Sequence, residues 1–273
     1  MSFRPAWWIR FMAWIWPFSR IGARLYALPV VGRLLAFLTL PLFSRKRQSL
    51  TYVPINRDLS GGASVFLPRE ITADFIGRSA HRAIIRQCTC RLDRGCADHD
   101  VDIGCMLLGD GAAEIDGRIA RHVSTTEALE HLDRALEGGL MPLVGRAPID
   151  NHIWGVRNRG RLLTICFCCR CCCTILGAGR SLPQIIHDSI VPPEGVSIRT
   201  DPVRCTGCGA CVTECFMGAL SLAEGTILRD SSRCKGCGRC AAVCPEQAIA
   251  VTIDHQTARS EMITRIKRYV DFE

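Results

Sequence analysis

Acidic side chains are missing from the first fifth of the chain. No Asp or Glu precedes Asp58, whereas residues 1–57 hold nine of the 34 Lys and Arg residues. Residues 58–273 hold the other 25 basic residues and all 26 acidic ones, so their charges nearly cancel. The excess of positive charge behind the net charge of +8 therefore lies at the amino end. The basic residues there alternate with tryptophan and long aliphatic side chains, which does not favour a nucleic-acid surface. We expect no nucleic-acid partner.

A long uncharged hydrophobic run is missing as well. The apolar runs at 11–19, 25–32 and 34–44 are broken by arginine, and none reaches the roughly 18–20 uncharged residues of a membrane-spanning helix. Four of the five tryptophans lie in this segment: Trp7, Trp8, Trp14 and Trp16. Because Trp and Arg both favour the lipid headgroup layer, we expect residues 1–47 to lie on the cytoplasmic membrane surface, helped by the basic cluster 45–47.

Two other interpretations of this segment stay open. An arginine-rich stretch without acids also describes a cleaved targeting peptide, although no small-residue cleavage site stands out. The segment could instead pack on a partner subunit. The favoured interpretation predicts a cytoplasmic protein that is peripherally membrane-associated.

Nucleotide-binding signatures are absent too: the chain contains neither G-x-G-x-x-G nor a P-loop pattern. Cysteine, in contrast, is abundant, with 18 residues in 273. Many of them are adjacent, as in "CFCCRCCC" at 166–173, and adjacent thiols are difficult to pair with separate partners at disulfide geometry. The cysteines therefore favour metal or cluster ligation over a secreted disulfide framework, and they imply an anaerobic or well-reduced cytoplasm.

The strongest motif is a duplicated cysteine spacing. "CTGCGACVTEC" and "CKGCGRCAAVCP" both carry C-x2-C-x2-C-x3-C, and the second follows the first by 29 residues. In this spacing three thiolates wrap one cubic iron–sulfur cluster, and the fourth ligates the neighbouring cluster. One cluster would then take Cys205, Cys208, Cys211 and Cys244, and the other Cys234, Cys237, Cys240 and Cys215.

This region resembles the bacterial two-cluster 4Fe–4S ferredoxins over about residues 200–254. Phe216 departs from the family, which usually has proline after the fourth cysteine, whereas Pro245 keeps it. The resemblance implies two 4Fe–4S clusters, single-electron transfer and a redox partner protein.

The middle of the chain shows four local patterns. Residues 68–87 place apolar side chains on one helical face, and Ser124 with Glu127 forms a capping-box pattern that opens a helix ending at Gly138–Gly139. "LMPLV" and "RLLTICF" predict two strands joined by a polar loop at 145–160. The prolines of 192–202 predict a linker.

Ten cysteines of the middle region are candidate ligands of a further iron–sulfur cluster or metal, with the subset undetermined. The first four have the spacing C-x-C-x5-C-x8-C, the right number for one centre, with His99 nearby as a candidate ligand. The candidates are Cys88, Cys90, Cys96, Cys105, Cys166, Cys168, Cys169, Cys171, Cys172 and Cys173.

The block 166–173 has two conformational interpretations. If the strand continues, Cys166 and Cys168 share one face and Cys169 points to the other. If 168–173 is helical, Cys168 aligns with Cys172, and Cys169 with Cys173. In either case six thiols exceed the four that a cubane needs, so some must serve a second centre, ligate an unusual cluster or remain free.

The cysteine pattern of the whole chain, with the phrases "VPIN" (53–56) and "LPREI" (67–71), also resembles a family of uncharacterised iron–sulfur proteins of anaerobic bacteria and archaea. This resemblance covers roughly residues 50–254. It implies cluster binding and anaerobic life, and it brings no established activity.

The predicted fold class is α+β, with four segments. An amphipathic, membrane-associating arm (1–50) precedes a mixed α/β cysteine-rich domain (51–200), a ferredoxin-like dicluster domain (201–254) of two repeated strand and helix units, and a helical tail (255–273). The favoured function is electron transfer at the cytoplasmic membrane surface, as a component of an oxidoreductase system. The alternatives are a reductase with an unusual catalytic cluster at 166–173, and a cluster scaffold or metal-handling factor.

Overall fold

The protein is described from a computed structural model, which covers residues 4–26, 28, 30–35, 37, 49–53, 67–157, 160–181 and 184–273. The basic cluster 45–47 and most of the VPIN phrase lie outside these described residues. The helices, numbered in chain order, are α1 (Trp8–Tyr26), α2 (Leu67–Arg78), α3 (Thr89–Arg94), α4 (Asp110–Ala113), α5 (Thr125–Glu137), α6 (Pro148–Trp154), α7 (Thr174–Ala178), α8 (Gln184–Ser189), α9 (Ala210–Glu214), α10 (Arg239–Ala242) and α11 (His255–Lys267).

The strands form antiparallel sheets, which confirms the α+β class. They are β1 (Ser49–Tyr52), β2 (Arg82–Ile85), β3 (Met106–Leu108), β4 (Ala120–His122), β5 (Met141–Arg146), β6 (Leu163–Cys168), β7 (Val196–Thr200), β8 (Leu220–Ala223), β9 (Thr226–Arg229) and β10 (Ile249–Ile253). Six of them make one sheet in the order β1-β5-β6-β3-β2-β4. The strands β7 and β10 pair as a ribbon, and β8 and β9 pair as a hairpin.

Helices cover both faces of the large sheet. On one face, Met106, Ile165 and Phe167 share a buried apolar cluster with residues of α2, α5 and α11. On the other face, Leu107 shares a second cluster with residues of α1 and α6, including Ile9. Because side chains alternate along a strand, Cys166 and Cys168 project away from the face that Ile165 and Phe167 use. The sheet thereby directs these two cysteines toward α1 and α6.

The helix α2 is shorter than the sequence pattern predicts. It ends at Arg78, and Ala83 and Ile84 belong to β2 instead. Ser79 Oγ donates to Phe75 O at 2.7 Å, and Arg82 Nε donates to Ile76 O at 2.8 Å, so side chains satisfy carbonyls at the end of the helix. The predicted helix over 68–87 is therefore wrong beyond residue 78.

The predicted capping box is confirmed. Ser124 Oγ accepts from Glu127 N, and the Glu127 carboxylate accepts from Ser124 N at 2.8 Å. The two predicted strands are confirmed as β5 and β6, which pair with Val144 opposite Ile165. The sequence predicts a polar loop without helix or strand between them, at 145–160. This segment instead contains α6, which begins at Pro148 and is capped by a left-handed Gly155 (φ 72°).

The predicted linker 192–202 contains a strand. β7 pairs in full with β10, and its Ile198 is buried against Ile249 and Cys211. The prolines at 192 and 193 precede this strand and do not interrupt it. This segment is therefore part of the carboxy-terminal fold.

Candidate metal centres

Four cysteines of the carboxy-terminal region line one small cavity: Cys205, Cys208, Cys211 and Cys244. They come from both halves of the sequence duplication, because the loop before α9 brings two, the first turn of α9 brings one and the second half brings one. Gly207 lies in this loop with φ +66°, and a Cβ there would lie 2.6 Å from Gly225 O. Only glycine fits this close approach.

The reciprocal four line a second cavity: Cys215, Cys234, Cys237 and Cys240. Burial raises the pKa of the Cys237 and Cys240 thiols to about 12. A bound cation is therefore what would hold them as thiolates, since a metal deprotonates the thiol that it coordinates.

The two halves repeat each other in backbone detail. Ala219 N donates to Cys215 Sγ at 3.3 Å, and Ala248 N donates to Cys244 Sγ at the same distance. The first cysteine of each half is held in the same way as well, since Cys205 N donates to Asp201 O and Cys234 N donates to Asp230 O. N–H groups aimed at sulfur suit thiolate ligands, because they stabilise negative charge on the sulfur.

A separate group of four thiols lies in the middle region: Cys96, Cys169, Cys171 and Cys172. Their Sγ atoms all lie within 4.8 Å of one another, and Cys96 Sγ is 3.5 Å from Cys171 Sγ. Cys171 is exposed, and Cys169 and Cys172 are buried. Within the described residues this group consists of thiols alone, so the candidate His99 is not among its members.

The other six cysteines of the middle region line a cavity of about 110 Å³, and Cys169 of the four-thiol group also lies in its wall. Cys105 Sγ donates to Cys166 Sγ at 3.3 Å. Cys90 lies close to Cys88 and Cys173, and Cys173 lies close to Cys168. We call this set the six-thiol group: Cys88, Cys90, Cys105, Cys166, Cys168 and Cys173.

The C-x-C-x5-C-x8-C run therefore does not gather at one point. Its third cysteine, Cys96, joins the thiols of the block 166–173, while the other three belong to the six-thiol group. The block itself divides equally. Cys166 and Cys168 share a face of β6 and Cys169 leaves it, as the strand interpretation predicts; the helical interpretation is wrong, because residues 170–172 form a turn and α7 begins at Thr174.

Arg91 lies between the two thiol groups, and no motif in the sequence singles it out. It is 1% exposed, donates to Phe167 O at 3.2 Å and also donates to Ile103 O. Its guanidinium lies near Cys169 of the four-thiol group and near Cys88 of the six-thiol group. A buried cation at this position offsets negative charge on thiolates of both groups.

Two further buried side chains adjoin the six-thiol group. Asp150 lines the cavity and accepts from Thr164 Oγ1 at 2.7 Å, and burial raises the pKa of its carboxyl to about 6. Tyr52 is fully buried beside Cys168 and Cys173, and its hydroxyl has no hydrogen-bond partner among the described residues. Neither residue lies in a motif, so no sequence signal could have found them.

Residues 204–248 match the family of 4Fe–4S dicluster domains. No curated protein and no solved structure is significantly similar to the chain. The matched segment contains the eight cysteines of the duplicated spacing, and the two cavities divide them into reciprocal sets of four. The protein therefore carries iron–sulfur cofactors of the 4Fe–4S type in a ferredoxin-like unit.

Proposed function

We propose that the protein transfers single electrons through two 4Fe–4S clusters to at least one further centre in its middle region. The observation that carries this proposal is the reciprocal division of eight cysteines between two cavities inside a 4Fe–4S dicluster domain. Clusters of this kind exchange one electron at a time and supply no proton chemistry. The ligand sets would be those that the spacing predicts, with Cys208 in the first and Cys237 in the second.

The four-thiol group would hold a third centre. Four thiolates within 4.8 Å match the ligand number of a cubane, and the exposed Cys171 gives this centre contact with the surface. Arg170 lies next to that cysteine, and it donates to Thr213 O at 3.2 Å and lies 3.6 Å from the Glu214 carboxylate. The arginine thus ties the cysteine block to α9, directly before Cys215.

The exchange of electrons with a partner protein would take place at the first cluster. Cys208 is exposed, and Val203, two residues before Cys205, is 92% exposed. The second cluster lies on the inner side, where Cys234 and Cys237 pack against the apolar cluster of the middle region. Electrons would therefore enter at the outer cluster and leave from the inner one.

Membrane association rests on the outward face of α1. Its inner face is buried through Ile9 and Met12, whereas Trp14 is 65% exposed and Phe18 57% exposed. The outer aromatic rings follow one another along the helix, with ring centroids 5.6 Å apart for Trp14 and Phe18. No helix in the described part of the chain is long and apolar enough to cross a membrane. A helix with one face buried and one aromatic face exposed would lie in the headgroup layer.

The test is anaerobic purification followed by iron and sulfide counts and EPR of the dithionite-reduced protein. The ferredoxin-like unit should contribute about eight iron atoms per chain. Cys208→Ser and Cys240→Ser should each perturb one of its two cubane signals and spare the other. Zinc in place of iron, or a protein that dithionite cannot reduce, would disprove electron transfer.

A second candidate function is a reductase, and the 110 Å³ cavity favours it. Seven cysteines and the Asp150 carboxyl border this cavity, so reducible centres and a proton-holding group would meet at one site. The ferredoxin-like unit would then supply electrons to that space. A substrate-dependent reoxidation of the dithionite-reduced protein, absent in Asp150→Asn, would distinguish a reductase from a carrier.

A further inference from the structure

We propose that the six-thiol group is a cofactor site of its own, separate from the four-thiol group, and that it holds a polynuclear iron–sulfur cluster larger than a cubane. The proposal rests on the proposed function, since it extends the same chain of redox centres. It assigns every cysteine of the protein to one of four sites. The six ligands would be Cys88, Cys90, Cys105, Cys166, Cys168 and Cys173.

The partition follows from the fold. Pairing of β3 with β6 places Met106 opposite Ile165, and the cysteines that precede and follow these two residues meet on the opposite face, with Cys105 and Cys166 in contact at 3.3 Å. The chain then turns after Cys168, so that Cys169 lies with Cys96 in the four-thiol group. Cys173 returns to Cys168 where α7 begins. A single short segment thus serves two sites.

The number of thiols indicates the class of cofactor. Zinc and a cubane each take four ligands, and six thiols around one cavity exceed both. All 18 cysteines lie in the described residues and none forms a disulfide, so oxidation does not account for the clustering. Thiolate ligands select iron–sulfur clusters, zinc or Cu(I), and the neighbouring dicluster domain indicates iron and sulfide.

The surroundings fit an anionic sulfur cluster. Tyr52 is fully buried, and burial of a hydroxyl without a hydrogen-bond partner is unfavourable. Its Oη has no partner among the described residues, and its nearest charged neighbours would be Cys168, Cys173 and, across the interface, Cys237. A cluster sulfur would supply the missing acceptor. Arg91 supplies a buried positive charge on another side of the group.

Two tryptophans shield part of the site from water. Trp16 of α1 and Trp154 of α6 both line the cavity, so the helix that carries the exposed aromatic face also covers the thiols. On the opposite side, Phe216 packs against Tyr52 and directly follows Cys215. A buried cluster here would receive an electron from the inner ferredoxin-like cluster, which is oxidised as the buried cluster is reduced, without bond making or proton transfer.

The experiment compares two substitutions that lie two residues apart. Cys173→Ser removes a member of the six-thiol group, and Cys171→Ser removes a member of the four-thiol group. A second pair, Cys105→Ser and Cys96→Ser, repeats the comparison in another segment. Each full-length protein is purified anaerobically, and iron, acid-labile sulfide, EPR and Mössbauer spectra are measured.

The expected result is a different loss from each pair. Cys173→Ser and Cys105→Ser should remove the same Mössbauer component, which accounts for more than about four iron atoms per chain. Cys171→Ser and Cys96→Ser should remove a different component, which accounts for about four iron atoms. Loss of one common component by all four variants would overturn the partition. Wild-type protein with about sixteen iron atoms or fewer, or with zinc at this site, would overturn a cluster larger than a cubane.

The cubane EPR signals of the ferredoxin-like unit keep the two proposals distinguishable. They report that the variant has folded, and they are independent of the middle cysteines. If they are present while the extra iron is missing from wild-type protein, the six-thiol proposal fails and electron transfer stands. If they are missing from wild-type protein, the proposed function fails, whatever the middle region binds.

Discussion

Tyr52 meets Phe216 edge to face, with ring centroids 5.1 Å apart and planes at 68°. One ring belongs to β1 of the large sheet and the other follows Cys215 of the ferredoxin-like unit. Both are buried, and Cys168, Cys173 and Cys237 lie in the same apolar cluster. The two rings therefore form the contact between the thiols of the middle region and the inner candidate cluster.

We predict that Tyr52→Phe lowers the reduction potential of a neighbouring centre by some tens of millivolts. A hydrogen bond to a cluster sulfur stabilises the more negative, reduced form, and a net contribution of about 1 kcal/mol corresponds to roughly 40 mV for one electron. The ring contact with Phe216 is retained, so packing changes little. EPR-monitored potentiometry of the full-length protein measures the shift.

Tyr269→Phe is the matched control, because it makes the same chemical change in the carboxy-terminal segment that follows α11. It should leave every potential unchanged. Equal potentials in wild-type protein and Tyr52→Phe would show that the Tyr52 hydroxyl does not donate to a cluster.

Replacement of Arg91 should remove the middle centres and spare the ferredoxin-like unit. Arg91→Met leaves the carbonyls of Phe167 and Ile103 without their donor and leaves thiolates without a buried counter-charge. Breaking a buried charged network of this kind costs about 3–5 kcal/mol. We expect iron from the middle region to be lost while the two cubane EPR signals persist.

Arg94→Met is the control for this prediction, since Arg94 lies in the same helix and is exposed. It should retain the full iron content. Retention of all iron by Arg91→Met would contradict the assigned role of the guanidinium.

The outer face of α1 should control membrane binding. Trp14→Ser combined with Phe18→Ser removes two exposed aromatic rings without touching the buried face. Since burial of each ring contributes about 1.5–3 kcal/mol, partitioning onto anionic lipid vesicles should fall by at least about a hundredfold in the double variant. Vesicle co-sedimentation at fixed protein concentration measures it.

Leu222→Ser with Leu228→Ser is the matched control, because these side chains are 49% and 56% exposed on the β8–β9 hairpin. Their loss should leave sedimentation unchanged. Surface variants are preferable to deletion of residues 1–47, since deletion would also remove Trp16 from the wall of the cysteine-lined cavity. If both double variants bind vesicles as wild-type protein does, α1 is not the anchor.

The sequence predicts the ferredoxin-like unit well because each of its ligand loops is local. Three ligands lie within seven residues, and the spacing itself reports the chemistry, as at Cys205, Cys208 and Cys211. The six-thiol group lacks this property. Cys105 and Cys166 are 61 residues apart and meet only because β3 and β6 pair in one register. No spacing rule could have separated Cys96 from Cys105.

Sheet pairing also explains which other features of the site were missed. Tyr52 and Asp150 carry no motif, and each acquires its position from long-range packing. The alternation of Cys166, Cys168 and Cys169 was predictable, because a strand period depends on neighbouring residues alone. Features that depend on a single strand or loop are therefore predictable from the sequence, whereas features that depend on the pairing of two distant strands are not.

The stability of the middle region should fall as pH drops below about 6.5, the ordinary pKa of histidine. Burial lowers the pKa of His131, whose ring packs against Phe167 with centroids 5.3 Å apart and whose Nε2–H donates to Gly104 O at 2.9 Å. The pKa of His131 is therefore lower in the folded protein than in the unfolded protein. As pH falls below the unfolded pKa, the unfolded protein binds a proton first, so the folded protein loses stability until pH reaches the folded pKa.

His131→Gln keeps an N–H donor and removes the titration. Anaerobic urea unfolding, followed by tryptophan fluorescence at pH 7.5 and 5.5, should show a smaller pH effect in this variant than in wild-type protein. An equal loss of stability in both proteins would assign the acid sensitivity to another group.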